Sequence, residues 1–318
     1  MLTGSGGAMG ASEHTTALVI GGGPAGLSAA LWLDRLGVPA VVLERGSQLG
    51  GELARVNLPI EDLLGCPAQN GEELRRLIAA QVGRRGLRVR LGCAVHHLDP
   101  ATRQVTTSDG VFTAAGLILA LGLTRRLLAV PGAEKLLGRG ITLSGTTDRQ
   151  ALAGEHPLVL GGGDGAFENA LLLAAVCPHV TLLHRGREPV ARPAFRRQVA
   201  AHPRITVLPE AEVQEVAGAS WLERVRVADP HGSRWLATRW LVVKIGFRPN
   251  TGLWGPEALA VDDRGFVQVD RELATSCPGV FAAGDVANPR APCLAAALGD
   301  GAIAARSLFN YLFQEKNR

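Results

Sequence analysis

The chain has 318 residues, 47% of them hydrophobic and 19% charged, with a net charge of +4. That is the composition of a globular protein with a large core, long enough for two domains, and it excludes a disordered or fibrous chain. Aromatics are only 4%, which argues against a stacking surface for single-stranded nucleic acid.

The basic residues are mostly Arg and are spread along the chain. The largest groups, Arg84-Arg85 and Arg196-Arg197, are doublets. A solvated face with no nucleic-acid partner is expected. The five cysteines (Cys66, Cys93, Cys177, Cys277 and Cys293) include no C-x-x-C pair. They read as reduced thiols in a cytoplasmic protein, with no disulfide framework and no zinc site. The histidines also lack metal spacing: His96 and His97 are adjacent, so no metal is expected.

In chain order, residues 1–14 are rich in Gly and Ser and read as a flexible tail, not a signal peptide. No later run reaches the roughly 18 apolar residues of a membrane span, so none is expected. Residues 18–46, "LVIGGGPAGLSAALWLDRLGVPAVVLERG", are a strand, a glycine turn, an apolar-periodic helix and a second strand. Residues 158–186, "LVLGGGDGAFENALLLAAVCPHVTLLHRG", repeat the pattern at an offset of 140 without a gap.

Each segment is a βαβ unit of the dinucleotide-binding type. Gly21 and Gly161 make the sharp turn, Gly23 and Gly163 admit a diphosphate, and Gly26 and Ala166 let the helix pack on the strand. The helix N-terminus offers free amides and partial positive charge to the phosphates.

The two copies differ where the second strand ends. Glu44 stands 23 residues after Gly21 and suits the hydroxyls of an unphosphorylated ribose. Its counterpart is His184, followed by Arg185, and a guanidinium there can hold a ribose 2′-phosphate. The first site therefore reads as FAD and the second as NADPH, with NADH as the other option. Arg187 and Arg192 lie downstream and are expected around the same phosphate.

Between the copies, "GLILALGLTRR" (116–126) reads as a strand ending at small residues, Ala120 and Gly122, that allow close approach to a cofactor. Near the C-terminus, "TSCPGVFAAGDVAN" (275–288) runs as a strand into Gly284-Asp285. An apolar helix follows, with its N-terminus expected toward the cofactor. The fold class is α/β with two Rossmann-like dinucleotide-binding domains, each three-layered. The FAD domain comprises 15–124 and 251–318, and the NAD(P)H domain, 125–250, is inserted in it.

Taken together, "GGGPAGLSAA", "GGGDGAFENALLL", "LLHRG", "IGFRPNT" and "TSCPGVFAAGDV" resemble the low-molecular-weight thioredoxin reductase flavoproteins over about 15–318. The resemblance implies a homodimer holding FAD and NADPH, in which the NADPH domain rotates to present nicotinamide to the flavin. It adds Pro24, Ala25, Arg45, Gly51 and Val95 to the FAD set, and Asp164, Gly165 and Gly246 to the NADPH set.

The sequence departs from the family in "GRGITLSGTTDRQ", where its Cys-x-x-Cys-Asp becomes Ser144-x-x-Thr147-Asp148. A hydroxyl pair has no counterpart to a disulfide, so the usual route to thioredoxin is closed. His184-Arg185-Gly186 also lacks one arginine of the family motif. Dithiol-free relatives include ferredoxin/flavodoxin–NADP reductases and bacillithiol-disulfide reductases, but the latter carry a Cys where this chain has Ala25.

The expectation is an FAD-dependent NAD(P)H oxidoreductase that passes electrons directly to an acceptor, with ferredoxin or flavodoxin first. A small disulfide, a quinone or oxygen follows, and a non-catalytic redox sensor is the reading of another class. Cys293, Cys66 and Asp148 are the side chains that could take part in the chemistry. Cys93 and Cys277 read as structural thiols in strand contexts, and Cys177 as one in the loop after the second helix.

Overall fold

The computed structural model describes residues 12–57 and 59–316. The chain divides into two compact units. Unit 1 comprises the chain up to Thr124 and from Arg248 onward, and unit 2 is Arg125–Phe247. Ser12, Glu13 and His14, expected in the tail, are instead strand residues. The Glu13 carboxylate meets Arg88 at 2.8 Å and Arg90 at 3.1 Å. The rest of the expected tail lies outside the described residues.

Unit 1 begins with β1 (Ser12–Ile20), α1 (Pro24–Arg35) and β2 (Ala40–Glu44). Pro24 opens α1, where a missing amide costs nothing. α2 (Gly71–Arg85) is capped by Asn70, whose Oδ1 accepts from the Glu73 amide at 2.9 Å, and it ends on Gly86 at φ +65°. β3 (Arg88–Leu91), β4 (Val95–Asp99), β5 (Gln104–Thr107), β6 (Gly110–Leu119) and the short β7 (Leu123–Arg125) follow.

Unit 2 contains, in order, α3 (Ala133–Leu136), β8 (Ile141–Thr142), α4 (Arg149–Leu152), β9 (Leu158–Leu160), α5 (Asp164–Ala174), β10 (Val180–Leu183) and α6 (Pro193–Ala200). Then come β11 (Ile205–Leu208), β12 (Glu212–Ala217), β13 (Arg224–Asp229), β14 (Gly232–Ala237) and β15 (Leu241–Val243). The chain leaves through β16 (Phe247–Pro249) and completes unit 1 with β17 (Val280–Ala282) and α7 (Leu294–Lys316).

The main sheet of unit 1 has the order β3-β2-β1-β6-β5-β4, with β17 also paired to β6. β1 is parallel to β2 and β6, and β17 is parallel to β6. Alternate residues of β1 enter two cores, as in a sheet covered on both faces. Ala17 and Val19 pack with Leu27, Leu33 and Leu308, whereas Leu18 and Ile20 pack with Leu43, Leu117 and Val267. Each such Leu or Val side chain contributes about 2 kcal/mol when fully buried.

Unit 2 carries a parallel sheet of order β11-β10-β9-β15-β8 and an antiparallel meander β12-β13-β14. One face of the parallel sheet packs on α5 through Phe167 and Leu173. The other face meets Val225 and Val227 of the meander.

Two details differ from the sequence reading. β6 starts at Gly110, earlier than position 116, because Val111–Thr113 pair with Ser12–His14. The return to unit 1 occurs at Phe247–Arg248, before position 250. Asn250 already belongs to unit 1, where its Nδ2 donates to Leu121 O at 2.8 Å. Cys93 lies in the connection between β3 and β4, and Cys277 in the bend before β17. Among the described residues no helix is long and apolar enough to cross a membrane, and no His/Cys/Asp/Glu group could hold a metal.

Candidate dinucleotide sites

The first site forms where β1 turns into α1. Gly21 has φ +114°, and a Cβ there would lie 2.2 Å from Ala120 O. A Cβ on Gly26 would lie 1.9 Å from Gly21 O, so helix and turn touch backbone to backbone. At Gly23 a Cβ would meet only Gly51 Cα, at 4.0 Å. That glycine leaves space where the first two close it.

Glu44, at the end of β2, binds this loop directly. The Gly22 amide donates to its Oε2 at 2.7 Å and the Gly46 amide to its Oε1 at 2.6 Å. Both oxygens retain lone pairs for further donors.

A cavity of about 750 Å³ opens here. It is lined by Gly21, Gly23, Pro24, Ala25, Glu44, Arg45, Gly51, Val95, Ala120, Gly122 and Asp285 of the expected set. Gly26 and Gly284 do not line it, because their role is packing: Gly284 sits at φ +74°, and a Cβ there would be 2.7 Å from Ala25 Cβ. Glu52, Gln48, Asn250 and Pro292 line it too, and the sequence offered no periodic signal for them.

Burial pushes the Asp285 carboxyl above the usual carboxylate range, and the nearby Glu52 and Asp300 add to this. Asp300 accepts from the Gly284 amide at 3.2 Å. A cavity of this size, with helix-start amides at one end and half-buried carboxylates along its walls, fits a dinucleotide with ribose and ribityl hydroxyls.

The three reactive side chains separate. Cys293 is exposed, lines the cavity and precedes α7, its carbonyl accepting from Ala297 N at 3.0 Å. Cys66 does not line the cavity and packs beside Leu53, Ile60, Ala68 and Leu74. Asp148 precedes α4, and its carboxylate accepts a hydrogen bond from the Thr142 hydroxyl, which makes it a turn residue. In the same loop Thr147 Oγ1 donates to Ser144 Oγ at 3.1 Å, and all five cysteines are free.

The second site repeats the backbone of the first. Gly161 has φ +149°, and a Cβ there would lie 2.2 Å from Lys244 O and 3.0 Å from Ala166 Cβ. A Cβ on Gly163 would meet only Val190 Cγ2, at 3.9 Å. Gly165 is exposed on α5, and Gly246 turns the chain at φ +93°.

The side chains differ from expectation. Arg192 was expected on a phosphate, but its Nε pairs with Asp164 Oδ2 at 2.5 Å and its amide donates to Asp164 Oδ1 at 2.7 Å. Arg185 and Arg187 are exposed. His184 is only 3% exposed, and its Nδ1 has no hydrogen-bond partner. Burial lowers its pKa from the ordinary value, against the opposing pull of Gly186 and Glu188. Burial also raises the pKa of Glu168 on α5, opposed by Lys244 and Arg192. Amides at a helix start, an orphaned buried nitrogen and two exposed guanidinium groups fit a second nucleotide.

Residues 15–301 match the family model of the pyridine nucleotide-disulphide oxidoreductases. The chain is 30% identical over 305 residues to thioredoxin reductase of Treponema pallidum, covering 93% of this chain and 96% of that protein. It is 28% identical over 302 residues to a component of the alkyl hydroperoxide reductase of Staphylococcus epidermidis, covering 93% of this chain but only 59% of the relative. It thus spans about three-fifths of the length of that longer protein. The crystal structure of Lactococcus lactis thioredoxin reductase superposes with a TM-score of 0.86 at 26% identity, covering 94% of this chain and 99% of that one. The chain belongs to the pyridine nucleotide-disulphide oxidoreductase family, within its thioredoxin reductase-like branch, whose cofactors are FAD and NADPH.

Proposed function

We propose that the protein oxidises NADPH through FAD and delivers the electrons directly to an external acceptor, with no internal dithiol between. One observation carries this reading. Two glycine cradles with different ribose ends stand in one chain, and Ser144 and Thr147 occupy the place where the family's dithiol is expected. The chemistry supplied by bound flavin is acceptance of a hydride from reduced nicotinamide and release of two electrons to the acceptor.

The chain's own residues bind and orient. The Gly22 amide is held by Glu44 and the Gly21 amide by Leu43 O, so the Gly23 amide and the amides at the start of α1 would hold the FAD diphosphate, Glu44 would hold the adenosine ribose, and Asp285 would hold a ribityl hydroxyl. In unit 2 the Gly163 end of the turn and the start of α5 would hold the NADPH diphosphate, since the Gly161 amide donates to Leu183 O, and Arg185 would hold the 2′-phosphate, with Arg187 beside it. Asp148 is assigned no proton-transfer step, since its carboxylate is engaged by Thr142.

The acceptor that best suits the net charge of +4 is a small acidic carrier, ferredoxin or flavodoxin. The exposed Cys293 in the cavity wall supports a second reading, a low-molecular-weight disulfide. The reading carries with it a cytoplasmic homodimer, which size-exclusion chromatography with light scattering tests.

An acceptor panel on the purified, flavin-loaded protein tests the function. NADPH should bleach the flavin within seconds, and cytochrome c reduction should depend on added ferredoxin or flavodoxin. Turnover of a small disulfide that is lost in Cys293→Ser moves the assignment to the second reading. Absence of bleaching by either nucleotide removes the enzyme assignment in favour of a redox sensor. Efficient NADPH-dependent reduction of thioredoxin overturns the direct route.

A further inference from the structure

We propose that His184 senses the ribose 2′ position at the second site by taking up a proton: its imidazole stays neutral beside a 2′-hydroxyl and becomes imidazolium when a 2′-phosphate is held at Arg185. The proposal rests on the reading of unit 2 as the NADPH site.

The internal repeat shows what is unusual about this side chain. His184 is the counterpart of Glu44, and Gly162 is the counterpart of Gly22. In the first copy both carboxylate oxygens of Glu44 already accept amides, from Gly22 and Gly46. In the second copy the imidazole lies against the glycine turn. A Cβ on Gly162 would lie 3.3 Å from His184 Cβ and 3.9 Å from both its Cγ and Pro189 Cα. The side chain is 3% exposed and Nδ1 is orphaned. A buried polar nitrogen without a partner is costly and marks a place where a ligand or proton completes the structure.

The surrounding charges decide which form the ring adopts. On its own loop stand Arg185, Arg187 and Glu188. The Glu188 carboxylate is tied to Arg196 of α6. Asp164, at the start of α5, is tied to Arg192. Glu210, in the turn between β11 and β12, is exposed and donates its amide to Gly186 O at 3.2 Å. Glu188 and Asp164 are thus engaged in exposed pairs with arginines and Glu210 is solvated, and the hydrogen bond with Gly186 and the charge of Glu188 oppose burial of the ring without outweighing it.

In the free protein, burial therefore prevails and the imidazole is neutral near neutral pH. A 2′-phosphate brings close to two negative charges to the residue next in sequence. An anion within about 4–6 Å favours the charged imidazole, and the proton comes from solvent. NADH brings no such charge, so preference for the phosphorylated nucleotide grows as pH falls through the window between the free and bound pKa values.

The test is calorimetric titration of the full-length, flavin-loaded protein with NADP⁺ and with NAD⁺, which do not reduce the flavin. Buffers of different ionisation enthalpy report the protons taken up, at about pH 6.5 where histidine titrates. Wild type should take up on the order of half a proton more than His184→Asn with NADP⁺, and no more than that variant with NAD⁺. The NADP⁺/NAD⁺ affinity ratio should rise about threefold more in wild type than in the variant between pH 8 and pH 6.

Comparison with the variant subtracts the titration of the phosphate itself. Should His184→Asn fail to fold, imidazole NMR of wild type gives the answer, with an upward shift of the His184 midpoint on NADP⁺ but not on NAD⁺. Equal proton numbers in wild type and variant, or an unmoved midpoint, overturns the proposal and leaves the site reading intact. Loss of neither nucleotide's binding in Gly163→Ala overturns the site reading itself, and the proposal with it.

Discussion

The Gly22 amide and the Glu44 carboxylate are hydrogen-bonded at 2.7 Å, joining the glycine turn after β1 to the end of β2. One side chain thus has two duties, holding the turn in shape and presenting its remaining lone pairs to a ribose. Glu44→Ala removes the acceptor for two amides and should cost about 2 kcal/mol in FAD binding, or more than tenfold in affinity. Flavin retained after gel filtration, read from the visible spectrum, checks this. Glu44→Gln should lie between wild type and Glu44→Ala, because it keeps one acceptor.

The glycines of the turns separate folding from binding. A Cβ at Gly23 or Gly163 meets nothing closer than 3.9 Å within the protein, whereas one at Gly21 or Gly161 meets a carbonyl oxygen at 2.2 Å. Gly23→Ala and Gly163→Ala should therefore fold, with a melting temperature of the ligand-free chain within a few degrees of wild type. Gly23→Ala should lose FAD and Gly163→Ala the nicotinamide nucleotide, each by about tenfold or more, since the methyl group occupies the diphosphate's space. Gly21→Ala should be destabilised by about 3 kcal/mol, through backbone strain and collision together. Thermal melts of ligand-free protein and ligand titrations distinguish the two classes.

Arg185 and Arg192 should differ in what their loss does. Arg192 is held by Asp164 and also lies over the Phe195 ring at 4.9 Å. Its pair is solvent-exposed and worth about 0.5 kcal/mol. Arg192→Ala should weaken NADPH and NADH equally, by less than about threefold. Arg185→Ala should weaken NADPH about tenfold more than NADH, through loss of a charge-assisted contact. Rapid-kinetic bleaching of the flavin at varied nucleotide concentration gives both ratios.

Asp285 should make the ligand-free protein sensitive to pH. Its carboxyl pKa is raised in the folded chain by burial and by Glu52 and Asp300. An acid of this kind favours folding while it is protonated, and that contribution is lost as pH rises from its unfolded value, about 4, through its raised folded value. Asp285→Asn should therefore raise the melting temperature of the FAD-free protein at neutral pH. The difference from wild type should vanish as pH falls toward about 4. The same substitution should weaken FAD, because a carboxylate acceptor becomes an amide. Melts across pH, with and without flavin, check both halves.

The parts of the fold legible in the sequence are those with a strict local signature. The two strand–glycine–helix–strand units could be seen because close backbone approach excludes every residue but glycine at Gly21 and Gly161. Elsewhere the determinants are not local. The meander β12–β14 carries a turn signature only at its second turn, Asp229-Pro230-His231-Gly232, and the pairing of β12 with β13 has no such local mark. The early start of β6 depends on pairing with Ser12–His14, and those three residues were read as tail.

Among site residues, Arg192 looked free because sequence cannot show that Asp164, 28 positions earlier, captures it. The burial of His184 was not legible, because the glycine turn it packs against, at Gly162, lies 22 positions earlier. Asn250 was visible only within "IGFRPNT". Its bonds to Leu121 and Thr124 join residues more than 120 positions apart.

Unit 2 begins and ends at the same place: the amide of Arg126 donates to the carbonyl of Gly246 at 2.9 Å. Unit 1 closes its own break in the same manner, with Asn250 N donating to Gly122 O at 3.3 Å. A segment whose entrance and exit are neighbours is a cassette. It can be cut out and bridged by a short turn, or exchanged for a counterpart of other nucleotide preference, without stretching the host. A yellow protein from the bridged chain is the expected result, because every residue of the cavity wall lies outside the excised stretch.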